Sequence, residues 1–443
     1  MDVTYTYPNI ALHVPIVWLP RDGIPYHRFA VVACDQYTWQ PEYWEEVDRF
    51  VGDSPSALRL IFPEVYLDAD DRAERIAGIR NTMREYLDEG ILCPREPGFV
   101  VVERQTALTP SRHGLVVALD LEQYDYRTGA SSLIRASEGT LVDRLPARIE
   151  IRQEAPLEVP HIMVLIDDPD GTVIEPLLQE DLPVLYDFDL MQGGGHVRGR
   201  HVAQPGLIRQ VADALGRLLE SQVDATSSAR APLLYAIGDG NHSLAAAKEV
   251  WERLKASVSD PARLACHPAR HALVELVNVH DDGLRFEPIH RIVLDVDVQD
   301  LLASMEAYYR DLHIPFQHHA LSCPPESGEL PDDSSGILFL AEGTCRALEM
   351  EDPRHHLKVA SVQAFLDAYL ESRPEVRLDY IHGDDTLLEL ASSPRSAGLV
   401  FPAVTKHDLF RTIMLDGAFP RKTFSMGQAD EKRFYIEARR ILP

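Results

Sequence analysis

The sequence predicts a mixed fold, α+β or α/β, and three observations carry that prediction. Two long stretches, 68–90 and 207–223, repeat apolar residues at helical spacing. Between Phe99 and Ile166 the chain is a succession of short β-branched runs parted by turn residues. Beyond these, strand-like and helix-like segments intermix without a strict βαβ rhythm.

The elements follow in order. HRFAVVACD carries a short buried strand, and QPEYWEEVDRFVG a helix with Trp44, Val47 and Phe50 at helical spacing and Gly52 as its stop. In DADDRAERIAGIRNTMREYLDEG, Ile76, Ile79, Met83 and Leu87 form one helical face. Acidic residues crowd its start and Gly90 ends it. GFVVVERQ, HGLVVALDL, ARIEIRQ and HIMVLIDD read as strands, and LIRQVADALGRLLESQV as an amphipathic helix. LLYAI, HALVELVNVHDDG and RIVLDVD are further strands. SCPPESGELPDDSSG, rich in Pro, Ser and acid, reads as a linker or long loop. The expected division is a main domain over 1–320 and a smaller α/β region over 336–443 that contributes the motif RKTFSMG.

Composition narrows the function. The chain has 443 residues and a net charge of −27. Such an anion repels phosphate backbones and acidic lipid surfaces, so the expected partner is a small molecule, neither nucleic acid nor membrane. An anionic ligand then needs a local cluster of donors. Five scattered cysteines, with no CxxC pair, fit a reducing compartment. The first residues lack a signal peptide's basic start and apolar core, and the expected location is cytoplasmic. Neither HExxH nor GxSxG occurs. Composition leaves the oligomeric state open.

The segment LLYAIGDGNHSLAAAKEVWERL is the most informative. A buried strand runs into a turn at Gly238, Asp239 and Gly240, and a helix starts near Asn241 or Ser243. Glycine lets backbone approach a ligand, and a helix start offers unpaired N–H groups with positive partial charge. Together they make a phosphate site. Asn241, His242 and Ser243 are its donors; Asp239 is a metal ligand or proton acceptor. A plain turn with an N-cap accounts for the same residues equally well.

Other segments are cationic or acidic in ways that suit phosphate chemistry. RKTFSMG offers Lys422 and Thr423 as a clamp. MQGGGHVRGRHV, with a run of three glycines and Arg198, reads as a flexible cationic lid. FEPIHRIVL sets His290 and Arg291 at the mouth of a strand. Glu138 in IRASEGT and Asp35 at the end of a strand are candidate general bases.

The chain resembles the family called domain of unknown function 1015 over almost its whole length. The resemblance rests on WLPRDGIPYHRFAVVACDQYTWQPEYW, RLIFPEVYL, IRASEGTLVDRLPARIEIR, YAIGDGNHSLAAAK, VELVNVHDDGLRFEPIHR and DGAFPRKTFSMGQADEKR. Its turn is similar to the DGHHR-type phosphate turn of the ParB and sulfiredoxin-like superfamily, which includes nucleotide-dependent serine kinases. The resemblance implies a core of that type, with Asp239, Gly240, Asn241 and His242 forming the phosphate turn. Asn241 here replaces the first His of that motif and Ser243 its Arg, so a bidentate phosphate contact is lost. Arg291, Lys422 or Arg198 would have to supply the missing charge.

The expected activity is phosphotransfer on a small hydroxylated or phosphorylated metabolite, serine or phosphoserine among them, with Mg2+ and ATP or ADP. Asp239, His242, Glu138 and Asp35 are the expected catalytic residues. Gly240, Asn241, Ser243, His290, Arg291, Arg198, Lys422 and Thr423 are the expected phosphate or nucleotide ligands, and Asp239 the expected metal ligand. Two alternatives stand beside it. One is a nucleotide- or metabolite-sensing protein without turnover. The other is a metal-dependent phosphomonoesterase using Asp239, Asp281 and His242.

Overall fold

A computed structural model describes residues 5–140, 145–225, 231–321 and 336–443. The chain is a mixed α/β protein that divides into two compact units. The first comprises residues 1–285 and 427–443, and the second residues 286–426. The division thus falls at Arg285/Phe286 and again at Met426/Gly427, so the carboxy-terminal tail belongs with the amino-terminal unit. The stretch read as a linker falls at 322–335, outside the described residues.

In chain order the principal elements of the first unit are β1 (Val31–Val32), α1 (Pro41–Val51), α2 (Arg72–Asp88), β2 (Phe99–Gln105) and β3 (Arg112–Asp120). Then come β4 (Ile134–Ala136), α3 (Leu145–Arg152), β5 (Met163–Ile166), β6 (Val184–Asp189) and β7 (His196–Val202). Next are α4 (Pro205–Ala225), β8 (Tyr235–Asp239), α5 (Asn241–Ser257), β9 (His271–Asn278) and, in the tail, β10 (Phe434–Tyr435). The main sheet has the order β6-β7-β2-β3-β9-β5-β8-β4, closed by the short strand Tyr124–Asp125.

Both faces of this sheet are covered, which explains its nearly continuous apolar strands. Alternate residues feed different cores: Val101 packs with α4 and α5, whereas Val100 and Val102 pack with α1, α2 and the tail. Leu244, Ala247 and Trp251 of α5 enter the first core, at the helical spacing expected of them. Trp44 and Val47 of α1 enter the second, while Phe50 stays exposed.

ARIEIRQ corrects the sequence reading. It lies in the helix α3, not a strand. Its isoleucines alternate, but Leu145 and Ile149, four apart, are the pair that packs on Ala245 and Ala246 of α5. Local pattern gave way to a helical partner.

The second unit is an antiparallel sheet whose central strands are Ile337–Ala341, Ser396–Val400 and Phe286–Leu294. Val298–Asp311 and Lys358–Glu371 pack on one face and Asp384–Ala391 on the other. Among the described residues, no helix is long and apolar enough to cross a membrane.

Candidate functional site

Strand β8 ends at Asp239 and α5 begins at Asn241, so the strand–turn–helix expected from the sequence is present. Gly240 joins them with φ of 76°, in the left-handed region. A Cβ there would also stand 3.1 Å from the Ile162 backbone, so the residue must be glycine on two counts. Gly240 makes no side-chain cap, and its own amide donates to Asp239 Oδ1 at 2.8 Å. The first amides of α5 therefore keep the partial positive charge of an uncapped helix start.

Sheet register brings the neighbours. β5 runs antiparallel to β8, with Met163 opposite Asp239, so His161 just before β5 stands at the start of α5. β10 pairs with β1, Phe434 opposite Val32. That pairing carries Asp35 and Lys432, which leave the ends of these two strands, to one place. The Lys432 ammonium lies 3.2 Å from Asp239 Oδ2, their side chains 12% and 23% exposed. His161 Nε2 lies 3.6 Å from Asp35 Oδ2 and 3.4 Å from Ser243 Oγ. Its Nδ1 is 2.7 Å from the Tyr435 hydroxyl, which also accepts from the Cys34 amide.

The electrostatics follow from this packing. Burial opposes charge on His161, but Asp35 through both charge and hydrogen bonding, with Asp239 and Glu64, holds the imidazole above its ordinary value. Burial likewise opposes charge on Asp35. His161, Gln36 and Lys432 overcome it and hold the carboxyl well below the usual range. Burial pushes the Cys34 thiol far up, so no thiolate nucleophile stands here. Two basic groups, His161 and Lys432, and two carboxylates thus share the amino end of α5. Asn241, the first residue of that helix, is 5% exposed, and its side-chain carbonyl oxygen has no hydrogen-bond partner. A buried orphan acceptor at a helix start marks a place where a donor belongs.

Of the sequence-derived candidates, the structure therefore gathers Asp35, Asp239, Gly240, Asn241 and Ser243. His242 is the second residue of α5 and half-buried. Glu138 lies two residues beyond β4, which pairs in parallel with β8 and so leaves the sheet at the same end as Asp239.

Arg198 and Asp281 lie elsewhere in the first unit. Arg198 is on β7, five strands from β8, or about 24 Å at the usual spacing, and stands 3.5 Å from Asp187. Its segment is a hairpin and not a lid: a Cβ on Gly195 would meet Gln105 O at 2.0 Å, and one on Gly199 the Tyr186 ring at 2.2 Å. These glycines serve close packing. Asp281, held by His113 at 2.9 Å, follows β9, whose parallel register with β5 carries it to the end of the sheet away from Asp239. The trio Asp239, Asp281 and His242 is thereby separated.

His290, Arg291, Lys422 and Thr423 belong to the second unit. The Arg291 side chain is fully buried and donates to Gln363 Oε1 and to the carbonyls of Ile289, Lys422 and Arg421. Its guanidinium also stacks 4.7 Å from the Tyr380 ring centre. With its donors so engaged it is a structural arginine, not a phosphate ligand. His290 accepts from the Phe401 amide and reaches Asp384 at 2.7 Å. Thr423 Oγ1 donates to Pro420 O at 2.7 Å. Lys422 is exposed, with φ of 53°.

Sequence reasoning missed His161, Lys432 and Tyr435. His161 opens the run HIMVLIDD, and a histidine directly before a buried strand was a usable signal. Lys432 is the last residue but one of the segment DGAFPRKTFSMGQADEKR, which also holds Lys422. Among the described residues, no group of three or more His, Cys, Asp or Glu side chains is arranged to hold a metal ion.

The family model for DUF1015, described as a protein of unknown function, matches residues 19–369. The chain belongs to this family. None of the curated proteins matches it. Among solved structures it is similar to a mutant free serine kinase in complex with AMP, at 11% identity and a TM-score of 0.40, covering 74% of this chain and 91% of that one. A conserved hypothetical protein from Pyrococcus furiosus is similar at 12% identity and a TM-score of 0.35, covering 74% and 95%. SbnI from Staphylococcus aureus, truncated at its carboxy terminus, is similar at 10% and 0.37, covering 72% and 85%.

Proposed function

We propose that this DUF1015 protein binds a phosphoryl group at the amino end of α5 and transfers it between a nucleotide, ATP or ADP, and a small hydroxylated metabolite. The observation that carries this reading is the meeting of His161 and Lys432 with Asp35 and Asp239 at an uncapped helix start. Phosphoryl transfer asks little covalent chemistry of a protein and much positioning and charge neutralisation. The α5 amides, Ser243 and the Asn241 amide group bind phosphoryl oxygens. Lys432 and His161 neutralise charge that develops on them. Asp35 accepts the proton released when the hydroxyl oxygen forms its bond to phosphorus and the bond to the departing oxygen breaks.

Mg2+ ordinarily takes one or two carboxylates and completes its shell with water and substrate phosphates. Asp239 and Asp35 fit that limited demand. A bound magnesium ion would supply further neutralisation of phosphate charge. The test is calorimetric titration of ATP and ADP, with and without Mg2+, followed by detection of phosphorylated product from a panel of hydroxylated metabolites. Binding abolished by Asp239→Ala and turnover abolished by Asp35→Asn are the expected results. Absence of nucleotide binding under every condition would end the proposal.

A further inference from the structure

Beside the phosphoryl site lies a cavity of about 130 Å³. His161 and Ser243 of that site are among the residues that line it. It continues past Ala246, which lies three residues after Ser243 and so on the same side of α5. Phe62, Met83 and Leu157 line its interior. The wall also holds two arginines, but neither offers a free charge: Arg148 is paired with Glu64, and Arg152 with Glu158. Burial keeps the Cys34 thiol protonated. Among the described residues, what the cavity presents to a ligand beyond His161 is therefore predominantly apolar, with the arginine charges paired. Apolar cavities of about 150 Å³ stay dry and take up benzene.

Building on the phosphoryl site proposed above, we propose that this cavity receives the uncharged, apolar body of the phosphorylated metabolite. The substrate is then a phosphate monoester, or its parent alcohol, of an aliphatic or aromatic group about the size of a benzene ring. Serine and phosphoserine are poor occupants. Their ammonium and carboxylate would have to enter a space whose charges are already matched, at a large desolvation cost.

The experiment compares inorganic phosphate, phenyl phosphate and phosphoserine by calorimetry on the full chain. The same titrations are followed through the methyl signal of Met83 in protein labelled at its eight methionine methyls. Phenyl phosphate is expected to bind at least about tenfold more tightly than inorganic phosphate, and phosphoserine no more tightly than inorganic phosphate. The Met83 methyl shifts with phenyl phosphate and not with inorganic phosphate. Ala246→Leu, which fills the cavity, removes the tenfold gain and leaves inorganic phosphate binding intact; the Met83 readout needs no variant and stands if that one folds poorly. Equal affinity for phenyl and inorganic phosphate, or a still Met83 signal, overturns the inference while leaving the phosphoryl site. Failure of all three to bind overturns both.

Discussion

The amino end of α5 and the Arg291 cluster are built from the same kinds of residue and do opposite things. Each sets basic groups beside hydrogen-bond acceptors. Around Arg291 the donors meet carbonyls and Gln363, and the guanidinium is sandwiched between Tyr380 and Phe401. At α5 the basic groups face carboxylates that are about a quarter exposed, and the first amides of the helix have no side-chain cap. The lesson is that a saturated polar cluster holds a fold together, whereas an unsaturated one at the edge of solvent has capacity left for a ligand.

The comparison breaks first at Arg291. Replacing it by Met takes this donor from the Ile289 carbonyl and the Gln363 side-chain oxygen, both in buried bonds, and each unsatisfied group costs on the order of 1–3 kcal/mol. Arg291→Met should therefore lower the stability of the second unit by about 3 kcal/mol or more, read from urea unfolding. A loss below about 1 kcal/mol would mean that its hydrogen bonds are not the saturated network described. Gly195→Ala tests the third cationic segment. Its Cβ has no room beside Gln105 O, and its φ of 82° disfavours alanine. A loss of about 1–3 kcal/mol is expected, and a silent substitution would restore the lid reading of that loop.

Much of this was legible in the sequence, and the failures have physical reasons. The strand–turn–helix at Asp239 was readable because its signals are local: an apolar strand, a glycine and a helical apolar face. Asp35 was readable from its place at the end of a strand. That Lys432 and His161 join them was not, because they reach the site through strand pairings between residues far apart in sequence, β10 with β1 and β5 with β8. Arg291 misled because composition reports a charge but not how many carbonyls it satisfies. The helix α3 misled because an alternating pattern is weak against one good packing partner, here Ala245 and Ala246.

The site itself can be sharpened through pH. The His161 value is raised in the folded protein. It therefore adds stability that is fully present below its unfolded value of about 6.5 and is lost as pH rises through the folded value. Asp35, held low, adds stability present above about 4 and lost as pH falls through its folded value. His161→Gln should flatten the stability profile on the alkaline side of pH 6.5. In Asp35→Asn the His161 titration, followed by NMR, should fall, because burial then acts with its chief opponent removed. A His161 titration unchanged by that substitution would deny the pairing on which the site is built.

The smallest stability effect belongs to Lys432, and it separates the two kinds of cluster most directly. Its ion pair with Asp239 is partly reached by solvent, the side chains 12% and 23% exposed, so losing that pair costs on the order of 1 kcal/mol. Ligand binding should respond far more, since a phosphoryl group at α5 would lose a cation placed to meet it. Lys432→Ala is expected to weaken ADP or phosphate binding by about tenfold or more while the urea midpoint barely moves. Lys432→Arg keeps the charge and should recover part of the affinity. The reverse pattern, a large loss of stability with unchanged binding, would make Lys432 another Arg291 and remove the distinction between the two regions.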